Sequence, residues 1–470
     1  MTLKVTKLLF SFVSLNDLYF GCLFAVALLT DFFFFATISM IIILHLVCKR
    51  KRYTARLCKN MPFFDIVSVM KDKKPRKSCA KIIKYIILTI LVGATVFCFW
   101  FFLLRDETKT AKTTDNNDTS TVQSKKDNII HFAAMGDMMA HDTIIANAKT
   151  GSSYDFAKYF KNIRSSYQDA DVVFCDQEGL SSGDSYVISG YPAFNAPTKY
   201  SADLQSGAGC NMINLANNHM GDKGVSATNA TIDNWASLKP LLISGANKSV
   251  DAQNTVSYAT VNNIKIGYVS FADFNNNSET PSYSINLYSD ENLVKSLVTQ
   301  ARSNADVVIV SMHWGVEDSA ALSEDQRNAA DLVSSLGADV IIGTGPHVLQ
   351  PVHTVARPDG GKTVIWYSLG NMLSSQLTIQ ELVGGIAQFD IIKGDDGKIS
   401  VENLSFTPTY MHYEWTADQA ATSDYLARKN AMIYLLSDAA VPLSKSLFNT
   451  TIAEQKQYVI DALGSEVTVK

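Results

Sequence analysis

The chain has 470 residues, 47% of them hydrophobic and 18% charged, with a formal net charge of −4. That length would accommodate roughly two to four domains, yet the apolar content is spread too unevenly for a domain count to follow from length. The charge averages a basic amino-terminal loop with a more acidic remainder. The remainder has no basic patch interleaved with aromatics, which excludes nucleic acid as a partner.

Residues 18–47 are almost uninterrupted apolar sequence, and residues 86–104 form a second such run. A hydrocarbon core of about 30 Å takes around 20 helical residues, so each run is long enough to span, the second as residues 82–104. Asp31 interrupts the first run, and a carboxylate is costly at mid-bilayer; that segment therefore tilts, pairs the charge, or spans only from Phe32 onward. Residues 49–81 are rich in Lys and Arg and hold only Asp65 and Asp72 as acids. Short basic loops stay in the cytoplasm, which places everything after Leu104 on the other side of a cell membrane. A start at Met70, followed by basic residues and the second run, would give a single-pass, signal-anchored chain of the same orientation. Residues 101–106 are bulky and then charged, without a small-residue cleavage pattern, so the span is read as a retained anchor.

Residues 106–127 are mostly Thr, Asn, Asp, Ser and Lys, a composition that cannot bury enough surface to order itself and reads as a flexible polar linker. An extracytoplasmic domain is expected at 128–413 and a helical carboxyl-terminal extension at 414–470. Of the seven cysteines, only Cys175 and Cys210 fall in this outer part. Each adjoins an apolar run, and their strand positions do not match. Both are expected as small buried apolar residues rather than as a disulfide.

Within the domain, six apolar runs end in polar clusters. Residues 129–135 lead into Gly136-Asp137, 171–175 into Asp176-Gln177-Glu178-Gly179, and 211–216 into Asn217-Asn218-His219. Residues 306–312 lead into His313-Trp314-Gly315-Val316-Glu317, 339–342 into Gly343-Thr344-Gly345-Pro346-His347, and 363–367 into Ser368-Leu369-Gly370-Asn371. Continuous apolar runs predict strands covered on both faces. Helical spacing recurs at 154–167, 225–238, 293–305 and 325–336, so the domain is expected to be a layered α/β structure. Residues 385–392 and 399–407 are half-alternating strands joined by a turn-rich link, and read as antiparallel additions. In sheets flanked by helices, ligands gather outside the carboxyl ends of strands, so the six ends point to one candidate pocket.

Asp137 alone reads as a helix cap, and Glu178 alone as part of an acidic turn. The company of His219, His313 and His347 at similar strand exits changes that reading. Carboxylate oxygens and imidazole nitrogens suit divalent zinc, manganese or iron. An Asn218 amide oxygen can join such a ligand set, and His219 either ligates or donates a proton to a leaving oxygen. Asp222 either orients the His219 imidazole or caps the helix that starts near Val225; both roles stay open. Glu317 follows a tight turn and reads as a supporting or catalytic group. Ser368 and Asn371 are weaker candidates for contacts to an anionic substrate, as is Asp176. His131, His141 and His353 have no comparable surroundings and read as structural or surface residues.

Taken in order, Gly136-Asp137, Asp176-x-Glu178, Asn217-Asn218-His219-x-x-Asp222, His313-Trp314-Gly315-x-Glu317, Gly343-x-x-Pro346-His347 and Ser368-Leu369-Gly370-Asn371 resemble the CapA family of capsule and poly-γ-glutamate synthesis proteins. That family is similar to calcineurin-like metallophosphoesterases. The resemblance implies a four-layer αββα sandwich, a divalent metal held by Asp137, Glu178, Asn218, His219, His313 and His347, and a membrane-anchored domain outside the cytoplasm. It departs from the family at Asp176, where Asn is frequent, and at Gly345, where His-Pro-His is usual and one imidazole is missing. Two functions are expected from it. The first is a metal-dependent hydrolase-like protein in assembly or export of an anionic envelope polymer, with His219 as proton donor and Asp222 behind it. The second is a non-catalytic polymer-binding or scaffold subunit beside a membrane synthase.

Overall fold

A computed structural model describes residues 128–470, which belong to one compact unit. The expected spans at 18–47 and 82–104, the basic loop and the linker lie outside the described residues. Among the described residues no helix is long and apolar enough to cross a membrane.

The strands in chain order begin with β1 (Ile129–Met139), the two-residue pair β2 (Lys149–Thr150) and β3 (Ser153–Tyr154), β4 (Val172–Glu178), β5 (Met212–Asn214) and β6 (Leu242–Ser244). Then follow β7 (Ser257–Val261), β8 (Ile264–Ala272), β9 (Val307–His313), β10 (Val340–Thr344), β11 (Leu349–Ala356), β12 (Lys362–Leu369) and β13 (Asn371–Leu373). The last are β14 (Val383–Lys393), β15 (Ile399–Glu414), β16 (Lys429–Leu435) and β17 (Thr468–Val469). Four longer helices accompany them: α1 (Val225–Leu238), α2 (Glu291–Asn304), α3 (Glu324–Ser335) and α4 (Ile452–Leu463).

One sheet runs β16-β15-β14-β1-β4-β5-β6, with β13 beside β1 and β17 beside β15; the other runs β11-β12-β10-β9-β8-β7. The pairs β1–β4, β4–β5 and β5–β6 are parallel, as are β8–β9, β9–β10 and β10–β12. As the sequence predicted, β14 and β15 add to the first sheet as antiparallel strands.

Burial explains why these strands are apolar throughout. In β9, Val307 and Ile309 join the core shared with the first sheet, while Val308, Val310 and Met312 pack with Leu297 and Val298 of α2 and Val333 of α3. Trp366 of the second sheet stacks on Phe389 and Phe406 of the first at 6.2 and 6.3 Å between ring centroids, and Tyr268 meets Phe174 at 6.5 Å. The two sheets thus face each other. Trp235 of α1 covers the opposite face of the first sheet, where its Nε1 donates to Gln177 Oε1 at 2.9 Å.

A bulge at Gly136 positions the first candidate residue. Along β1 and β4, Ala134 pairs with Phe174 and Met135 with Cys175, but Asp137 rather than Gly136 pairs with Asp176. Side chains alternate between faces, so one extra residue turns everything after it over. Asp137 therefore shares a face with Asp176 and Glu178, the face turned toward the second sheet. The residue at 136 must be Gly, because a Cβ there would lie 1.9 Å from the Gly370 carbonyl oxygen.

Three expectations are corrected. Residues 154–167 form two short 3-10 turns, Ala157–Phe160 and Arg164–Tyr167, not one helix. Side-chain bonds compete there with helical ones, one local and one tertiary: Ser166 Oγ donates to the Ile163 carbonyl, and Asn162 Nδ2 to the carbonyl of Ile433 in β16. Cys175 and Cys210 form a disulfide with their Cα atoms 5.7 Å apart. Gly209, at φ +81°, turns the chain so that Cys210 enters beside β4, and the Asn211 N–H bonds the Val173 carbonyl. The extension at 414–470 is not helical alone, since β16 and β17 both extend the first sheet from β15.

Candidate metal centre

Three strand ends from each sheet meet at one end of the sandwich. Asp137 lies near the end of β1, Asp176 and Glu178 end β4, and Asn218 and His219 follow β5. His313 ends β9, His347 follows β10, and Asn371 opens the segment after β12. Parity places His313 on the inner face with Val307 and Ile309, so it reaches across to the carboxylates of the first sheet.

Asp137, Asp176, Glu178 and His313 bring ligand atoms within 4.8 Å of one another, and all four residues are buried. His313 Nδ1 lies 3.0 Å from Asp176 Oδ2 and 3.1 Å from Thr344 Oγ1. A proton on Nδ1 donated to Asp176 leaves the Nε2 lone pair free. That nitrogen is 3.1 Å from Asn218 Oδ1 and 3.8 Å from Glu178 Oε1. On the other side, His347 Nδ1 lies 3.2 Å from Asp137 Oδ2 and 3.8 Å from Glu178 Oε2.

Glu178 decides whether a cation fits. Both of its carboxylate oxygens are buried and neither has a hydrogen-bond partner. Leaving such a group unmet costs about 1–3 kcal/mol or more, and here carboxylate, amide oxygen and imidazole nitrogen converge as electron-pair donors. The donor set fits a divalent cation of the zinc, manganese or iron type. Asp137, Glu178, Asn218 and His313 would hold it, with Asp176 fixing His313 from behind and His347 beside Asp137.

Burial dominates the electrostatics of the carboxylates and of His313, whereas His347 gains charge from its acidic neighbours. Burial raises the carboxyl pKa of Asp137 and Glu178, the latter well above its usual range, and lifts that of Asp176 to about 7. Burial also lowers His313 to about 4. Burial opposes charge on His347 as well, but Glu178 and Asp137 outweigh it and raise that imidazole to about 10.

His219 stands outside the group of four. Its Nδ1 is 2.7 Å from Asp222 Oδ2 and 3.1 Å from the Asn276 amide nitrogen, and its ring meets Phe194 edge-on at 4.6 Å. This settles the choice for Asp222: it holds the imidazole and the Phe194 N–H, while the residue capping α1 is Gly224, with no side-chain cap. Glu317 lies on an exposed turn, outside the buried group of four but near enough for its charge to act on Glu178, His313 and His347. Asp176 is fully buried and engaged by His313 and Asn214, which leaves no free face for a substrate. Ser368 Oγ donates to the Val348 carbonyl and accepts from Gly370, which is turn architecture. Asn371 Nδ2 donates to the Glu381 carbonyl, and its buried Oδ1 has no partner.

Gly345 has a positional reason. Its φ is +104°, its N–H donates to Asp137 Oδ1 at 2.9 Å, and a Cβ there would lie 2.9 Å from the Trp314 carbonyl oxygen. Sequence reasoning overlooked two neighbours of the centre. Asn276 reaches His219 from the loop after β8, and its N–H bonds the Asn218 carbonyl at 2.9 Å. His141, read as structural, meets Phe194 edge-on at 5.2 Å, and its pKa is lowered to about 3 by burial and by the charges of His347, Arg428 and His219. The triple Asn275-Asn276-Asn277 was the available signal for the first; nothing local marked the second.

Fold and site together define a mixed α/β protein with a buried carboxylate and imidazole centre suited to a divalent cation. The chain belongs to the family described as Bacterial capsule synthesis protein PGA_cap, whose sequence model matches residues 131–376. It is 32% identical over 234 residues to the PGA biosynthesis protein CapA of Bacillus subtilis (strain 168), covering 48% of this chain and 57% of that protein. It is 31% identical over 175 residues to the capsule biosynthesis protein CapA of Bacillus anthracis, covering 36% of this chain and 41% of that one. The chain therefore spans about half the length of these curated relatives. Among solved structures, the NAD nucleotidase of Haemophilus influenzae is 12% identical with a TM-score of 0.38, covering 71% of this chain and 59% of that one. A purple acid phosphatase from yellow lupin is 10% identical with a TM-score of 0.30, covering 69% and 57%.

Proposed function

We propose that this protein acts in capsule or poly-γ-glutamate synthesis or export as a metal-dependent, hydrolase-like protein of the metallophosphoesterase type. The observation that carries the reading is the partnerless Glu178 carboxylate set between His313 and His347. When bound, a divalent ion would act there as a Lewis acid on a phosphoryl or acyl oxygen. The chain's own groups supply the rest. Asp176 orients His313, Asp222 accepts from His219 Nδ1–H with Asn276 packed beside that nitrogen, and the remaining ring nitrogen of His219 is left to exchange a proton with a leaving oxygen. The sandwich buries these groups, so charge on a reacting oxygen is met in low dielectric.

The anchor and linker read from the sequence of residues 18–127 favour a domain outside the cytoplasm, on the cell membrane, beside an anionic envelope polymer and a membrane synthase. The buried disulfide Cys175–Cys210 supports an oxidising compartment.

Gly345 favours a second reading, in which the domain binds polymer without cleaving it, because the family's usual imidazole is missing at that position. One experiment separates the two: the purified full chain, loaded with manganese, is given phosphodiester and γ-glutamyl substrates. Hydrolysis that requires metal and is lost in His219→Ala with metal content retained is the result expected. Polymer binding without turnover under the same conditions would establish the second reading instead.

A further inference from the structure

The carboxyl-terminal extension buries a cation against Ser375, whose N–H reaches His141. Arg428 is the only Lys or Arg buried among the described residues, 5% exposed. Its hydrogen bonds run to neutral oxygens: Nε to the Tyr425 carbonyl at 3.0 Å, Nη1 to the Ser375 carbonyl, and Nη2 to Ser375 Oγ at 3.3 Å. Among the described residues no carboxylate forms an ion pair with it. The rings of Tyr413, Trp415 and Tyr425 lie 4.8, 5.3 and 5.2 Å from its guanidinium carbon.

Ser375 links this cation to the centre, because its N–H lies 3.4 Å from His141 Nδ1. From His141, edge-on ring contacts lead through Phe194 to His219. Arg428, His347 and His219 all act electrostatically on His141, so that imidazole stands between guanidinium and centre.

A buried charge is costly unless it is paired. Aromatic faces return only about 0.5–2 kcal/mol each, and three carbonyl or hydroxyl bonds leave part of the guanidinium fork unused. That fork matches the two oxygens of a carboxylate or phosphate.

We propose that Arg428, with Ser375 and His141, forms an oxyanion subsite that holds a carboxylate or phosphate of an anionic substrate beside the group bound at the metal centre. Ser375 and His141 lie inside the family-matched segment, whereas Arg428 and its three aromatic neighbours lie beyond residue 376. The extension thus adds a recognition element that the matched segment does not contain. The assignment rests on the metal centre being the place where substrate reacts, and the test separates the two claims.

The test uses the full chain in detergent, with and without manganese. Inorganic phosphate and a short glutamate oligomer serve as probes, followed by titration calorimetry and by tryptophan fluorescence. The wild type should bind one of the two, and which one identifies the oxyanion. Arg428→Met should weaken it by about tenfold or more, as expected for losing a charge-assisted pair. Arg428→Lys should recover only part, because it keeps the charge and loses the fork. Both variants should keep the wild-type metal content, and Trp415→Phe should remove most of the fluorescence response. The subsite is overturned if the wild type binds neither probe or if both variants bind as the wild type does. It is overturned equally if Arg428→Met unfolds while Arg428→Lys binds normally, which would assign a structural clamp. Arg428-dependent binding by a chain that takes up no manganese would leave the subsite standing and remove the metal reading.

Discussion

Asp137 Oδ2 and His347 Nδ1 lie 3.2 Å apart although 210 residues separate them, one near the end of a strand of the first sheet and the other following a strand of the second. Neither side chain could reach the other within a single sheet. The centre is therefore a property of the pairing of the two sheets.

Gly345→His would restore an imidazole at a backbone that rejects one. At φ +104°, with the Trp314 carbonyl oxygen 2.9 Å from the added Cβ, the substitution should cost about 1–3 kcal/mol. Denaturant unfolding of the full chain reads this directly, and a variant as stable as the wild type would show that the turn relaxes freely.

Asp222→Asn should lower kcat about 10- to 100-fold with metal content unchanged, because Asp222 acts through the His219 ring at 2.7 Å. Steady-state kinetics together with metal analysis check it. Loss of metal in the variant would place His219 among the ligands instead.

Metal affinity should rise with pH. Asp137, Asp176 and Glu178 all carry carboxyl pKa values raised by burial, Asp176 to about 7, and an entering cation must displace their protons. The same shift sets the sign for metal-free stability. A carboxyl raised in the folded state holds its proton below about pH 4 in both states, and the folded chain loses stability as pH climbs from there through about 7. Relative to Asp176→Asn, metal-free wild type should therefore weaken across that window. Thermal melts of both at pH 4.5 and 7.5 measure it; parallel curves would contradict the raised pKa.

Cys210→Ser should reduce unfolding stability by about 2–4 kcal/mol, the usual range for opening a native disulfide loop; here the cysteines are 35 residues apart. Non-reducing peptide mapping should find the Cys175 and Cys210 peptides linked, and finding both as free thiols would contradict the assignment.

The strand ends were legible because β4, β9 and β10 are buried on both faces, so apolar runs stop where Asp176, His313 and Thr344 begin the site. The sequence also showed β14 and β15, by their half-alternating pattern. The bulge at Gly136 was not legible, since a register shift depends on the partner strand and not on local residues. The disulfide was hidden for a similar reason: Cys210 reaches Cys175 through the turn at Gly209, not through matching strand positions. The hairpin of β7 and β8 carried a local signal in Asn262 and Asn263, both at positive φ, that a search for buried runs passed over. Arg428 escaped because an isolated Arg in a polar stretch looks exposed until Tyr413, Trp415 and Tyr425 are folded around it.

The most direct measurement is manganese binding to the full chain by titration calorimetry, wild type against Glu178→Gln. The account predicts saturable binding by the wild type and at least about tenfold weaker binding by the variant, the effect of removing a charged ligand. Equal affinity in the two, or no binding by the wild type, would contradict a cation held between the sheets.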